Sequence, residues 1–115
     1  MAEKLSKRQV TPREIVIEKL KRAAEDITKE LPLDAVYLYG SYAHGRPKAY
    51  SDVDVVVVSP IFGTNIIKET AVLMEYFEKT GLMVEPRAYS REEFKEIKKG
   101  SFLYEEVLQK GLQIF

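Results

Sequence analysis

Asp52 and Asp54 stand one valine apart at the head of a run, Val53-Asp54-Val55-Val56-Val57-Val58, whose composition is that of a buried strand. Side chains alternate along an extended chain, so the two carboxylates point to the same side, with Cα atoms roughly 6–7 Å apart. Val53, Val55 and Val57 take the opposite side, while Val56 and Val58 continue the acidic side as apolar residues. The strand is therefore expected to be covered on both faces except where the carboxylates emerge. Two like charges in that position require a cation. Magnesium suits them, because hard carboxylate oxygens bind it, commonly one or two of them together with substrate phosphates. The chemistry implied is phosphoryl transfer.

A glycine-serine turn upstream supports the same chemistry. Gly40-Ser41 follows the apolar run Ala35-Val36-Tyr37-Leu38-Tyr39, and a helix starting near Ser41 would present free backbone amides to an anion. The Ser41 hydroxyl adds one more donor for a phosphate. Gly45 lets the chain turn back, and Ser51 precedes the acids. Arg46 and Lys48 in the same loop are placed to meet phosphates, although loops also carry such charges for solubility. His44, the single histidine, is either a phosphate contact, an acid or base, or a surface-turn residue with no catalytic duty. Alone, Asp-x-Asp would read as the solvated start of a strand and Gly40-Ser41 as an ordinary hairpin turn. Both halves at this spacing favour a site.

Gly40-Ser41, a second glycine at Gly45, and Ser51-Asp52-Val53-Asp54 followed by valines resemble the signature of the DNA polymerase β-like nucleotidyltransferase superfamily. In size the chain is similar to its minimal nucleotidyltransferase branch, the MNT or MntA-like proteins, often partnered with a HEPN-domain protein. His44 departs from the pattern, since that branch often has arginine there. The resemblance implies a third carboxylate from a neighbouring strand, and Glu85 is the only acid between Leu82 and Tyr89, a glutamate where aspartate is usual. The other reading of Glu85 is a surface residue on an edge strand. The resemblance further implies two magnesium ions, with manganese as a substitute, held by Asp52, Asp54 and Glu85 as metal-binding and catalytic residues. ATP would be the donor, its phosphates contacted by Gly40, Ser41, Arg46 and Ser51. The acceptor would be a tyrosine of a HEPN toxin, which would make the chain an antitoxin. A small-molecule acceptor and a non-catalytic binding module are the alternatives.

Composition narrows the field. A chain of 115 residues with 45% apolar content suits one domain with one core. Eighteen basic residues are matched by eighteen acidic ones, so no broad basic field exists to hold a nucleic-acid backbone, and a general polymerase is not expected. Cysteine is absent, which removes thiolate metal sites and disulfides and fits a cytoplasmic protein. No stretch approaches the roughly 20 apolar residues that span a bilayer.

The expected architecture is an α/β (α+β) domain over residues 11–115, a small mixed β-sheet flanked by helices, behind a polar arm over residues 1–10. Thr11-Pro12-Arg13-Glu14 predicts a helix start with a Thr11 cap, and the stripe Val16, Leu20, Ala23, Ile27, Leu31 carries that helix to about Leu31. Strands follow at Ala35–Tyr39 and from Val53, where Tyr37 and Tyr39 share a side and would either stack on a nucleobase or fill the core. Asn65 caps a second helix from Ile66 to about Lys79 with Ile67, Ala71, Met74 and Phe77 expected to face the sheet. Pro86 marks the strand Leu82–Tyr89 as an edge. Ser90-Arg91-Glu92-Glu93 is a capping box for a helix towards Lys98 with Phe94 and Ile97 inward. A helix from Phe102 to Lys110 and a short strand from Leu112 to Phe115 close the chain. These elements use nearly all residues after Val10, so the acceptor is expected to bring its own binding surface: a partner protein or a second copy of the chain.

Overall fold

The computed structural model describes residues 10–115, so most of the expected polar arm lies outside the described residues. Helix α1 runs Arg13–Thr28 and leads into strand β1, Ala35–Tyr39. A single turn of helix, α2 (Ser41–His44), separates β1 from β2, Val53–Ser59. Helix α3 (Ile66–Glu78) crosses over to β3, Val84–Ser90, which passes directly into α4, Arg91–Lys95. A π-helix, Leu103–Gln109, and the two-residue strand β4, Leu112–Gln113, complete the fold. The sheet order is β3-β2-β1-β4. β1 pairs antiparallel with β2 and β4, and β2 pairs parallel with β3 across the α3 crossover, so the sheet is mixed as expected.

The alternation read from the valine run places the core. Val36, Leu38, Val53, Val55 and Val57 face α1 and α3, meeting Val16, Leu20, Ala24, Ile27, Leu73 and Phe77. Ala35, Tyr39, Val56 and Val58 form a smaller cluster on the other face with Val107 of the π-helix. All of Val55 to Val58 are at most 2% exposed, so β2 is covered on both faces. Pro86 lies on β3, which is indeed an edge of the sheet.

Several boundaries differ from the sequence reading. The cap of α1 is Pro12 rather than Thr11: with φ −58° and ψ 144°, its carbonyl accepts from the Ile15 and Val16 amides at 3.1 Å, and no side chain caps the helix. The helix closes at Thr28, and a tighter turn in which Glu30 and Leu31 both donate to the Ile27 carbonyl replaces its expected last turn. The Ser90 capping box forms as read, Ser90 Oγ accepting from the Glu93 amide at 3.0 Å and Glu93 Oε1 from the Ser90 amide at 2.9 Å. Its helix stops at Lys95, where Glu96 leaves helical geometry at φ −93° and ψ 20°. The last helix is a π-helix, and Gly111 then lets the chain pass so close to the Val107 and Leu38 carbonyls that a Cβ would strike both.

The larger correction concerns α3. Leu73 and Phe77 are buried, whereas Ile67, Ala71 and Met74 point outward, Ile67 being 82% and Met74 52% exposed. Apolar residues occupy both candidate stripes of this helix, and the three-to-four spacing from Phe77 is satisfied equally by Leu73 and Met74. Leu73→Ala is therefore expected to lower unfolding free energy by about 2–5 kcal/mol through cavity formation. Met74→Ala should stay within about 0.5 kcal/mol of the parent. Urea denaturation of the two variants checks the assignment, and equal losses would reverse it.

Candidate active site

The site is assembled where β1 ends and β2 and β3 begin. The ladder sets Asp54 opposite Tyr39 on one side and opposite Glu85 on the other. Neighbouring strands lie about 4.8 Å apart, so Asp54 and Glu85 are direct neighbours on one face of the sheet. Asp52 precedes β2 on the same side and is half-buried, while Glu85 is exposed on the edge strand.

Gly40 binds the turn to this acid row. It adopts φ 76° and ψ −154°, a region open essentially to glycine alone, and a Cβ there would lie 2.5 Å from Asp54 Oδ2. The Gly40 carbonyl accepts from the Ala43 amide at 3.0 Å and the His44 amide at 3.2 Å, which shapes the single turn of α2. Arg13, at the start of α1, reaches the far side of that turn: Nε donates to the Tyr42 carbonyl at 2.6 Å and a terminal nitrogen to the Gly45 carbonyl at 3.3 Å. Nothing in the sequence signalled this clamp, since the partners are 29 and 32 positions away.

Of the residues expected at phosphates, Gly40 packs against Asp54, Ser41 follows it as the first residue of α2, and Arg46 is exposed in the following loop with Lys48. Ser51 shapes the loop, its Oγ accepting from the Lys48 amide at 2.8 Å. His44 turns toward the π-helix, with Nε2 3.6 Å from Glu106 Oε1. Neither tyrosine of β1 offers an open ring: Tyr37 stacks on Phe94 and Tyr39 meets Phe102 edge-on, each with centroids 5.4 Å apart. Burial pushes the Tyr39 hydroxyl up to about 12.

Arg87, which the sequence reading passed over, is a cation facing the acid row. It follows Glu85 by two residues and shares its face, with its guanidinium 5.0 Å from the Phe102 ring centre and in electrostatic contact with Tyr39, Tyr89 and Asp54. The alternation that assigned Glu85 to this face would have found it. The acid row remains under-neutralised even so. Burial, then Glu85, then Asp52 raise the Asp54 carboxyl above its usual 3.8, and Arg87 opposes them only in part.

Among the described residues no three His, Cys, Asp or Glu side chains are drawn together closely enough to hold a metal ion by themselves. The donor type nevertheless fits magnesium, which is held by one or two carboxylates with substrate oxygens completing its shell. An open platform of hard oxygens carrying uncompensated charge has that chemistry.

A nucleotidyltransferase-domain family model matches residues 17–113 of the chain. The protein belongs to this family. It also resembles the crystal structure of a Sulfolobus solfataricus protein provisionally named a nucleotidyltransferase, with a TM-score of 0.60 and 17% identity over 89% of this chain and 81% of that one. At that identity the likeness bears on the fold, which is that of a minimal polymerase β-like nucleotidyltransferase. No curated protein matches the sequence significantly. No helix among the described residues is long and apolar enough to cross a membrane.

Asp54 is harder to ionise in the folded chain than in the unfolded one. A carboxyl that holds its proton more tightly when folded than when unfolded costs stability once pH rises through its folded value, and costs nothing below the unfolded 3.8. Asp54→Asn should therefore raise the melting temperature at pH 7, with the gain shrinking as pH falls towards 4. Melting curves across that range test it, and a variant less stable than the parent at pH 7 would show Asp54 to be a structural partner instead.

Proposed function

We propose that this protein transfers AMP from ATP to a hydroxyl, that of a tyrosine on a HEPN-domain toxin partner, and so acts as an antitoxin. The observation that carries the reading is the register that sets Asp54 beside Glu85 while Gly40 packs against Asp54. A phosphate-sized anion at the Gly40-Ser41 turn then lies against the acid row. The branch the motifs resemble supplies the donor and the acceptor.

Gly40 and Ser41 bind the terminal phosphates through backbone amides and the hydroxyl, with Arg46 contributing charge. Asp52, Asp54 and Glu85 would hold two magnesium ions, which when bound neutralise the triphosphate and lower the acceptor's proton affinity. The acceptor oxygen bonds to the α-phosphorus as the bond from that phosphorus to its bridging oxygen breaks, and pyrophosphate leaves. The hydroxyl proton passes to the Glu85 carboxylate. Arg13 keeps the turn, and with it the phosphates, in register with that line of attack.

ATP affinity should depend on the metal, because the acid row repels bare phosphates. Calorimetry with EDTA in place of magnesium is expected to show a loss of about tenfold or more, about 1.4 kcal/mol. Unchanged affinity would remove the metal from the assignment.

Intact-mass spectrometry of the co-expressed pair is expected to show the partner heavier by one AMP unit. Asp54→Asn should cut transfer by about 10²–10³-fold, the scale at which charge-stabilising groups act. An unmodified partner held in a tight inhibitory complex would make the protein a binding module. Absence of any association would move the acceptor to a small molecule.

A further inference from the structure

The flank of the acid row away from Gly40 is a cavity of about 450 Å³, lined by Asp52, Glu78 and Glu85 with Met74, Phe77 and Met83 among its apolar residues. No basic residue lines it, and none of its three acids forms an ion pair among the described residues. In a chain whose total charge is zero, this is a local excess of negative charge beside an apolar lining.

The position of the cavity follows from the site. Gly40 approaches Asp54 from β1, while Glu85 and the cavity lie on the β3 side. In phosphoryl transfer the attacking and leaving oxygens stand roughly in line on opposite sides of the phosphorus. With pyrophosphate held at the Gly40-Ser41 turn, a placement that rests on the reading above, the acceptor enters from the cavity side.

The apolar lining continues beyond the opening. Ile67, Ala71, Met74 and Glu78 follow one another along α3 at spacings of four, three and four, so a single outward stripe leads to the cavity rim. Ile67 is 82% exposed, and Met83, beside the opening, is 69% exposed. A small molecule filling the cavity would leave that stripe in water, whereas a polypeptide lying along α3 covers it.

We infer that this cavity and the outward stripe of α3 bind the acceptor as a polypeptide segment in which a tyrosine is flanked by arginine or lysine and by large apolar residues. The basic side chain answers Glu78, and the apolar ones cover Met74 and Ile67.

Fluorescence anisotropy of two labelled peptides against the full chain tests this: one with tyrosine between arginine and leucine, the other with tyrosine between glutamate and leucine. The basic, apolar peptide is expected to bind roughly tenfold tighter, the scale of a complementary charge contact. Glu78→Lys should abolish or invert the preference, and Met74→Ser should weaken the basic peptide without changing the melting temperature. Equal binding of the two peptides, or a preference that survives Glu78→Lys, would overturn the inference. Displacement of the basic peptide by argininamide at equal concentration would overturn the polypeptide assignment in favour of a small cation. Adding ATP and magnesium and weighing the peptides separates this inference from the transferase reading. Charge-selective binding with no AMP on tyrosine upholds the cavity and removes transfer to tyrosine, while equal modification of both peptides removes the cavity's selectivity alone.

Discussion

The site depends on one close approach, the backbone of Gly40 lying against the carboxylate of Asp54. Any residue with a side chain at that point is strained, because its Cβ would lie 2.5 Å from Asp54 Oδ2 and its φ would be held at 76°. The contact ties the end of β1 to the start of β2 at the position where the two strands cease to pair. The loop that follows can therefore vary in path while Ser41 and the acids keep their relation. Arg13 acts on the same turn from the other side, hydrogen bonding to carbonyls that a one-turn helix leaves open.

Holding carboxylates side by side opposes folding, and the valine strand supplies the offset. Each of Val55 to Val58 is shielded on both faces of the sheet, and burying a side chain of that size contributes about 1.5–3 kcal/mol. The acids sit at the one end of β2 where that covering stops. Arg87, steadied over the Phe102 ring, softens the repulsion without cancelling it, which leaves a surface disposed to take up a cation together with an anion. The same sheet is thus rigid behind the site and electrostatically unsatisfied in front of it.

Much of this was legible in the sequence, and the failures have physical reasons. The valine run made β2 readable to within one residue of its end at Ser59, and Ser90 with Glu93 announced a cap by chemistry that acts within three positions. Pro86 declared the edge strand before any pairing was known. Helix α3 misled because it is apolar on two sides: periodicity reports that a face is apolar and not which neighbour covers it. The π-helix has no spacing code of its own, since lengthening the hydrogen-bond step to five residues depends on what packs beneath it, here Val107 over β1. Arg13 joins the site through contacts that local sequence does not encode, and Arg87 was missed although its strand position was available.

Pro86 bears on more than the location of β3. The Met83 carbonyl accepts from the Val53 amide on β2 at 2.8 Å, so by alternation residues 83, 85, 87 and 89 turn their peptide groups toward β2 and residues 84, 86, 88 and 90 turn theirs to the open side. On that open side Pro86 has no N–H, and the Ser90 N–H is already taken by Glu93. Only Val84 and Ala88 remain as donors, two residues out of a seven-residue strand. A foreign strand seeking to extend the sheet would meet an interrupted ladder, which protects this margin against edge-to-edge aggregation. The strand that carries Glu85 is thereby kept as a boundary of the sheet, and the carboxylate stays at a rim that other chains cannot seal by backbone pairing.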